Sequence, residues 1–112
     1  MGGVPALAGE VGLQSILADA STDAVLLILP AQVLDAVAIR CLAAGKHVLQ
    51  EKPVAATVAR AAAVRAAAAA TPSLVLAVAE NYRSEPGVLA AAAAAASIGA
   101  LTGLRCDEGG GR

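Results

Sequence analysis

The stretch GKHVLQEKP, residues 45–53, decides the fold of this chain. Gly45 follows an apolar segment of helical spacing, and glycine is the usual residue just past a helix end. Residues 46–50 have the length and composition of a strand. That strand is followed directly by residues 51–53, which supply a carboxylate, an amine and a proline. Because open α/β sheets bind ligands at the carboxyl ends of their strands, the stretch predicts both a strand and a candidate site.

Two further strands are predicted from continuous apolar runs on either side of this stretch, Ala24–Leu29 and Leu74–Ala79. A continuous run, rather than an alternating one, is typical of a parallel strand that is covered on both faces. Segments of helical spacing separate the three strands. Strands that alternate with helices imply right-handed crossovers and a parallel sheet. The predicted fold class is therefore α/β, with three main strands and flanking helices.

The helices are predicted from apolar spacing and from end signals. In the segment Gln32–Ala44 we expect a buried stripe with Asp35 outside it, and the stripe consists of Val33, Val37, Cys41 and Ala44. The other predicted helices are a short one near residues 13–20, one over residues 57–70 with Thr57 as N-cap, and an alanine helix over residues 88–98 preceded by Pro86.

Composition excludes several classes of protein. The net charge is −1, from 8 Lys+Arg and 9 Asp+Glu scattered singly, so there is no basic patch for nucleic acid or an anionic membrane. Cys41 and Cys106 form no CxxC pattern, so neither a metal site nor a disulfide is indicated, and we expect Cys41 to pack as a small apolar residue. The uncharged run Pro86–Leu104 is too rich in alanine and glycine to predict a membrane span. No signal peptide is evident, so a cytoplasmic protein is expected.

The two ends of the sequence are expected to differ from the middle. Residues 1–11 are rich in glycine and are predicted to be an irregular lead-in. Residues 12–100 contain the predicted strands and helices. Residues 101–112 combine a weak strand, Leu101–Cys106, with a glycine-rich tail that is predicted to be disordered.

Residues 44–55, AGKHVLQEKPVA, resemble the Glu-Lys-Pro motif of the Gfo/Idh/MocA family of NAD(P)-dependent oxidoreductases, whose usual form reads AGKHVLCEKPLA. The resemblance implies that Lys52 is a catalytic residue beside the nicotinamide and the substrate. It also implies that Glu51 and Pro53 help to bind the cofactor, and that the Lys52–Pro53 bond is often cis. A lysine at the mouth of an apolar sheet can lose hydration, which lowers its pKa and suits it to proton transfer. By composition alone, the simpler interpretation of the same residues is a solvated ion pair before a proline turn, and it is the full AGKHVLQEKP context that favours the family interpretation.

Two other stretches resemble the same family. Residues 80–86 read ENYRSEP and are similar to the family's ENYRF.P loop, which implies that Tyr82 and Arg83 contact the cofactor or substrate. An arginine can bind a phosphate with two hydrogen bonds, and a phenol can bridge to a hydroxyl. The alternative is that Tyr82 covers the end of the sheet while Arg83 is solvated. Residues 23–30 read DAVLLILP and are similar to the family's DAVVIATP, which implies that Pro30 lies at the cofactor.

The sequence departs from the family pattern in ways that affect the expected function. Leu34 stands where the family usually has a histidine, and Gln50 where it usually has a cysteine. The single histidine, His47, is expected to pack or cap at the start of its strand rather than to act as a catalyst. The Gly-x-Gly-x-x-Gly fingerprint, whose loop normally binds the pyrophosphate, does not occur.

The resemblance therefore implies a partial Rossmann-like domain, the second half of a NAD(P)-binding domain, followed by the start of a substrate domain at residues 101–112. An intact relative would transfer hydride between NAD or NADP and a hydroxyl carbon of a sugar or cyclitol. For this chain alone we expect weak or no binding of NAD(P) and no turnover. The alternative, from another class of function, is a non-catalytic interaction module that self-associates through open strand edges.

Overall fold

A computed structural model describes residues 6–100 of the chain. Helices and strands alternate along it, and the chain divides into two compact units, Met1–Glu80 and Asn81–Arg112. The elements are α1 (Gly9–Ala18), β1 (Ala24–Leu27), α2 (Ala31–Ala43), β2 (His47–Gln50), α3 (Val58–Ala70), β3 (Leu76–Val78), a 3₁₀ helix (Asn81–Ser84) and α4 (Pro86–Ser97). The predicted weak strand Leu101–Cys106 lies outside the described residues.

The first unit contains a parallel sheet with the strand order β1-β2-β3. Its register places Val25 opposite Val48 and Val48 opposite Leu76. The predicted α/β class and the three parallel strands are confirmed, although β1 and β3 are shorter than the apolar runs Ala24–Leu29 and Leu74–Ala79 that predicted them.

Only one face of this sheet is covered by helices within the part of the chain that the structure describes. Both crossovers run in the same direction across the sheet, and a shared handedness then places α2 and α3 on the same side. On that side Leu27 and Val48 are buried, whereas on the other Leu26 and Leu49 are exposed. The expectation that the strands are covered on both faces is therefore wrong for this unit.

Helix α2 contributes most of the core, through a stripe that differs from the predicted one. The buried residues of α2 are Leu34, Asp35, Ala38, Cys41 and Leu42, and all of them except Asp35 cluster with Leu27 and Val48 of the sheet. Val33 is exposed and Val37 is only half-buried. The buried stripe of α2 therefore lies on a neighbouring face of the helix and not on the predicted one. Cys41 is fully buried, as expected, and burial raises the pKa of its thiol.

Asp35 is buried because an ion pair neutralises it, which the spacing of apolar residues could not reveal. Arg60, in the first turn of α3, forms an ion pair with Asp35 and also donates a hydrogen bond to the Gln32 carbonyl oxygen at 2.8 Å. The Ala36 backbone N–H donates to the same carboxylate at 2.9 Å. The pair joins α2 to α3. Without it, the buried charge of Asp35 would be strongly unfavourable.

The predicted end signals of the helices have the geometry expected of them. Gly45, just past α2, has φ of 77°, in the left-handed region that favours glycine. Thr57 caps α3 by accepting a hydrogen bond from the Arg60 backbone N–H at 3.3 Å. Pro86 is the first residue of α4. Helix α1, by contrast, begins at Gly9, within the segment predicted to be irregular.

Polar contacts attach α1 and the following turn to the rest of the first unit. Glu10 of α1 accepts a hydrogen bond from the Arg40 guanidinium at 3.1 Å, and this contact lowers the pKa of the Glu10 carboxyl. The buried Lys46 donates to the Asp19 carbonyl oxygen at 2.6 Å. Hydrogen bonds from Ser21 lower the pKa of the Asp19 carboxyl. These contacts fix both ends of the segment that leads into β1.

The core position of Leu34 can be tested by truncation. Leu34→Ala should lower the free energy of unfolding by about 2–5 kcal/mol, because a fully buried leucine leaves a cavity. Leu49→Ala, at a leucine that is 44% exposed, is the matched control and should cost about 1 kcal/mol or less. Urea denaturation followed by circular dichroism measures both, and equal costs would contradict the assignment of the core to the α2 side.

The ion pair between the helices can be tested by removing its exposed partner. Arg60→Met should destabilise the first unit by about 1–3 kcal/mol, because Asp35 stays buried with a charge that has lost its main partner. Arg65→Met, at an exposed arginine on the same helix, should change stability by less than about 0.5 kcal/mol. Thermal denaturation at neutral pH compares the two, and similar melting temperatures would show that Arg60 contributes nothing.

Candidate functional site

The residues predicted to form the site in the first unit gather at the carboxyl edge of the sheet. Strand β2 is hydrogen-bonded on both sides up to its last residue. The Glu51 N–H donates to the Leu27 carbonyl oxygen at 3.0 Å, and the Ala79 N–H donates to the Gln50 carbonyl oxygen at 2.8 Å. The loop that follows β2 therefore starts between the ends of both neighbouring strands.

Glu51, Lys52 and Pro53 form the first turn of this loop. Glu51 is half-buried, and its carboxylate accepts a hydrogen bond from the Lys52 backbone N–H at 3.2 Å. Lys52 and Pro53 are exposed, and the bond between them is cis. Since Lys52 is exposed, the loss of hydration predicted for its amine is not found in this unit. The loop instead presents the Glu51 carboxylate, which accepts one backbone hydrogen bond, beside the exposed Lys52 amine.

Pro30 lies at the corresponding place after β1, where it is the N-cap residue of α2 and is exposed. The exposed residues Ile28 and Leu29 lead into it. Leu34, which replaces the histidine usual in the resembled family, is fully buried in the core. That position therefore offers no polar group to a ligand at this edge.

Gln50 is a polar residue of the site region whose importance the sequence did not reveal. Its side chain is fully buried at the end of β2, and its Nε2 donates to the Val54 carbonyl oxygen at 2.9 Å. This hydrogen bond closes the loop that carries Glu51 and Lys52. The Gln50 Oε1 atom has no hydrogen-bond partner among residues 6–100. The only signal in the sequence was a glutamine in place of the usual cysteine.

Tyr82 and Arg83 belong to the second unit, where they lie in the 3₁₀ helix Asn81–Ser84. Both side chains are exposed. Tyr82 is 60% exposed, and its backbone carbonyl oxygen accepts a hydrogen bond from the Glu85 N–H at 3.3 Å. Their predicted contacts with a cofactor remain predictions.

His47 has the structural position expected of it. It starts β2, is half-buried, and its Nδ1 accepts a hydrogen bond from the Val75 N–H at 2.9 Å. The ring thus supports the approach of β3 to β2 at the amino edge, away from the loop after Gln50. Within residues 6–100 no group of His, Cys, Asp and Glu could hold a metal ion, and no helix has the length and apolarity needed to span a membrane.

Comparisons with known proteins agree with this arrangement. Residues 3–79 match the model of an oxidoreductase family with a NAD-binding Rossmann fold, Gfo/Idh/MocA. No curated protein sequence is significantly similar to the chain. Among solved structures, a NAD-binding protein from Listeria innocua is 37% identical, with a TM-score of 0.60, over 63% of this chain and 20% of that one.

Two further solved structures have the same fold. The 3-ketoreductase of Actinomadura kijaniata, in complex with TDP-benzene and NADP, is 30% identical over 74% of this chain and 26% of its own, with a TM-score of 0.67. The scyllo-inositol dehydrogenase of Lactobacillus casei is 23% identical over 64% and 23%, with a TM-score of 0.57, which shows the fold alone. The chain therefore spans about a quarter of the length of the solved structures that it matches.

The function of Gln50 in closing the loop can be tested with two substitutions. Gln50→Met removes one hydrogen bond and also the unpartnered Oε1, so stability should change by less than about 1 kcal/mol. Gln50→Ala leaves a cavity as well and should cost about 2–4 kcal/mol. Urea denaturation measures the costs. In both variants, the backbone amides of Glu51, Lys52 and Val54 should exchange faster than in the unaltered chain, and unchanged exchange would contradict the loop-closing hydrogen bond.

Proposed function

The chain belongs to the Gfo/Idh/MocA family of oxidoreductases with a NAD-binding Rossmann fold, and from this premise we propose that its Glu51–Lys52–Pro53 loop contacts a nicotinamide cofactor. In the reaction that we propose for an intact relative, hydride passes between NAD or NADP and a hydroxyl carbon of a sugar or cyclitol. Lys52 is the proposed catalytic residue, which moves the hydroxyl proton. Glu51 and Pro53 are proposed to position the cofactor, together with Pro30.

The observation that supports this proposal best is the position of the loop. Its first residue is hydrogen-bonded to Leu27, so Glu51 and Lys52 lie at the carboxyl edge of a parallel sheet, where ligands of open α/β sheets bind. The chain is also similar to a 3-ketoreductase whose structure is a complex with NADP, so a related chain binds such a cofactor. The substrate class and the choice between NAD and NADP are part of the proposal.

The residues at this edge suit the nicotinamide end of a dinucleotide better than its pyrophosphate. A bound nicotinamide would supply the hydride chemistry. The half-buried Glu51 carboxylate can accept hydrogen bonds from ribose hydroxyls, and the exposed Lys52 amine can reach a substrate oxygen. No glycine-rich turn between a strand and a helix occurs in residues 6–100 to bind the pyrophosphate. In the second unit, Tyr82 and Arg83 are further proposed contacts.

For this chain alone we propose weak binding and no turnover. Within residues 6–100 the proposed nicotinamide contacts have no glycine-rich pyrophosphate turn beside them, and such contacts contribute little affinity by themselves. A second candidate function, an interaction module that self-associates, is favoured by a specific observation. Leu26 and Ile28, beside the edge of β1 that pairs with no strand within residues 6–100, are apolar and largely exposed.

The proposed cofactor site can be tested by titrating the chain with NADH and NADPH while recording amide chemical shifts by NMR. At millimolar cofactor, shifts should change for Glu51, Lys52 and the residues around Pro30, and not at the amino edge near His47. Lys52→Ala should weaken the response several-fold, because a charged partner is lost. Arg65→Ala, at an exposed cation on α3, is the matched control and should leave the response unchanged.

Two outcomes would contradict this proposal in different ways. Shift changes confined to the amino edge, or equal effects of the two substitutions, would remove the Glu51–Lys52–Pro53 loop from the site. Saturation at micromolar cofactor would show that the chain binds the dinucleotide without a glycine-rich turn, and would refute the expectation of weak binding.

A further inference from the structure

The side chain of Gln50 lies at the carboxyl end of the core of the first unit. Gln50 is the last residue of β2, and the register places it between Leu27 of β1 and Val78 of β3. Side chains alternate along a strand, so Gln50 shares a face with Val48, and both side chains are buried. Backbone hydrogen bonds hold Gln50 in the sheet. Its side chain is therefore a rigid anchor directly before the Glu51–Lys52–Pro53 loop.

The amide of this side chain makes one hydrogen bond of the several that an amide can make. Its Nε2 donates to the Val54 carbonyl oxygen at 2.9 Å, whereas Oε1 is buried without a partner among residues 6–100. A buried acceptor that lacks a donor costs free energy, which an apolar side chain of similar size would avoid. Filling of the core therefore does not explain a glutamine at this position. The bond to Val54 is what an apolar residue could not supply.

The Gln50–Val54 hydrogen bond encloses the loop that carries the candidate site. It joins the residue before the Glu51–Lys52–Pro53 loop to the residue after it, and Lys52 is the middle one of the three enclosed residues. Lys52 is exposed, and its side chain makes no hydrogen bond or ion pair among residues 6–100. Contacts of the Lys52 side chain therefore do not fix its position. The two ends of the enclosed segment do, one through the sheet and the other through Gln50.

The chain beyond Val54 is held by separate contacts. Thr57 caps α3 by accepting a hydrogen bond from the Arg60 N–H at 3.3 Å, and the Arg60 guanidinium donates to the Gln32 carbonyl oxygen at 2.8 Å. These contacts attach α3 to α2 without involving Gln50. Loss of the Gln50 amide should therefore loosen the Glu51–Lys52–Pro53 loop and leave α3 in place.

We propose that Gln50 is a positioning residue for Lys52, which holds the Glu51–Lys52–Pro53 loop in the conformation that contacts a nicotinamide cofactor. This role rests on the proposed function of the loop, and it adds a residue that touches neither the cofactor nor the substrate. A loop that is already held in its binding conformation loses less conformational entropy when a ligand binds. Loss of the Gln50–Val54 bond should therefore weaken cofactor binding while the fold persists.

A comparison of Gln50→Met with Val48→Ala separates positioning from stability. Gln50→Met keeps the size of the side chain and removes the donor, so the apparent affinity of Glu51 and Lys52 for NADH should fall about two- to tenfold, with little change in stability. Val48→Ala removes a buried side chain from the same face of the same strand, so stability should fall and NADH affinity should not. Urea denaturation and NMR titration of the 112-residue chain with NADH measure both quantities under conditions where every variant is folded.

Gln50→Glu has the same shape as the glutamine and makes the closing bond dependent on pH. A protonated carboxyl can donate its O–H to the Val54 carbonyl oxygen, whereas an ionised carboxylate can only accept. Because burial raises the pKa of a carboxyl, NADH affinity should be close to that of the unaltered chain at about pH 6 and should fall toward that of Gln50→Met at about pH 9. The unaltered chain and Gln50→Met at the same pH values control for the titration of every other group.

Three results would overturn the positioning role. They are equal NADH affinity in Gln50→Met and the unaltered chain, an equal loss of affinity in Val48→Ala, and an affinity of folded Gln50→Glu that follows pH no more than the controls do. Circular dichroism of the same samples shows whether Gln50→Glu is folded at the higher pH, and if it is not, Gln50→Met against Val48→Ala decides.

Failure of the proposed cofactor site gives a different result. In that case the unaltered chain itself shows no NADH response at Glu51 and Lys52, which would refute the site and with it a positioning role toward the cofactor. If the unaltered chain responds and Gln50→Met responds equally, the positioning role alone is refuted and the site stands.

Discussion

The arrangement of the first unit depends on the hydrogen bonding of β2 on both of its sides. Bonds from Glu51 to Leu27 and from Ala79 to Gln50 continue to the last residue of the strand. They align the carboxyl ends of all three strands, so the loop after β2 begins where both neighbouring strands also end. A chain with small side chains and a single aromatic residue has few bulky contacts to align its strands. The backbone hydrogen bonds of the sheet therefore contribute more to the placement of Glu51 and Lys52 than they would in a protein with a larger core.

The helices between the strands of the first unit, α2 and α3, lie on one side of the sheet, and they add stability with polar as well as apolar contacts. Helix α2 places Leu34, Ala38 and Leu42 on the sheet. Its Asp35 then binds Arg60 of α3, and its Arg40 binds Glu10 of α1. Alanine removes little apolar area from water, so an alanine-rich helix such as α3 contributes only modestly through burial. The ion pairs hold such helices at defined positions, and in the pair between Arg60 and Asp35 the carboxylate is buried.

The existence of the strands and the ends of the helices could be predicted from local sequence. The burial of Asp35 and the limits of the strands could not, for physical reasons. The apolar runs, Gly45 and Thr57 act through their nearest neighbours, so strand existence and helix ends were evident. The burial of Asp35 depends on a residue 25 positions later, and no local spacing encodes that pairing. The strand limits were too long because the apolar runs continue after the ladder ends. At the candidate site, the motif located Glu51 and Lys52, but only coordinates show the exposure of Lys52 and the hydrogen bond of Gln50 to Val54.

The short strand β1 contributes directly to the candidate site. Leu27 holds Glu51 through its carbonyl oxygen, and β1 has only four residues, Ala24–Leu27. Loss of the pairing between β1 and β2 would therefore release the first residue of the loop. The order of the Glu51–Lys52–Pro53 loop thus depends on the last hydrogen bond of a four-residue strand, and not on the packing of the loop's own exposed side chains, Lys52 and Pro53.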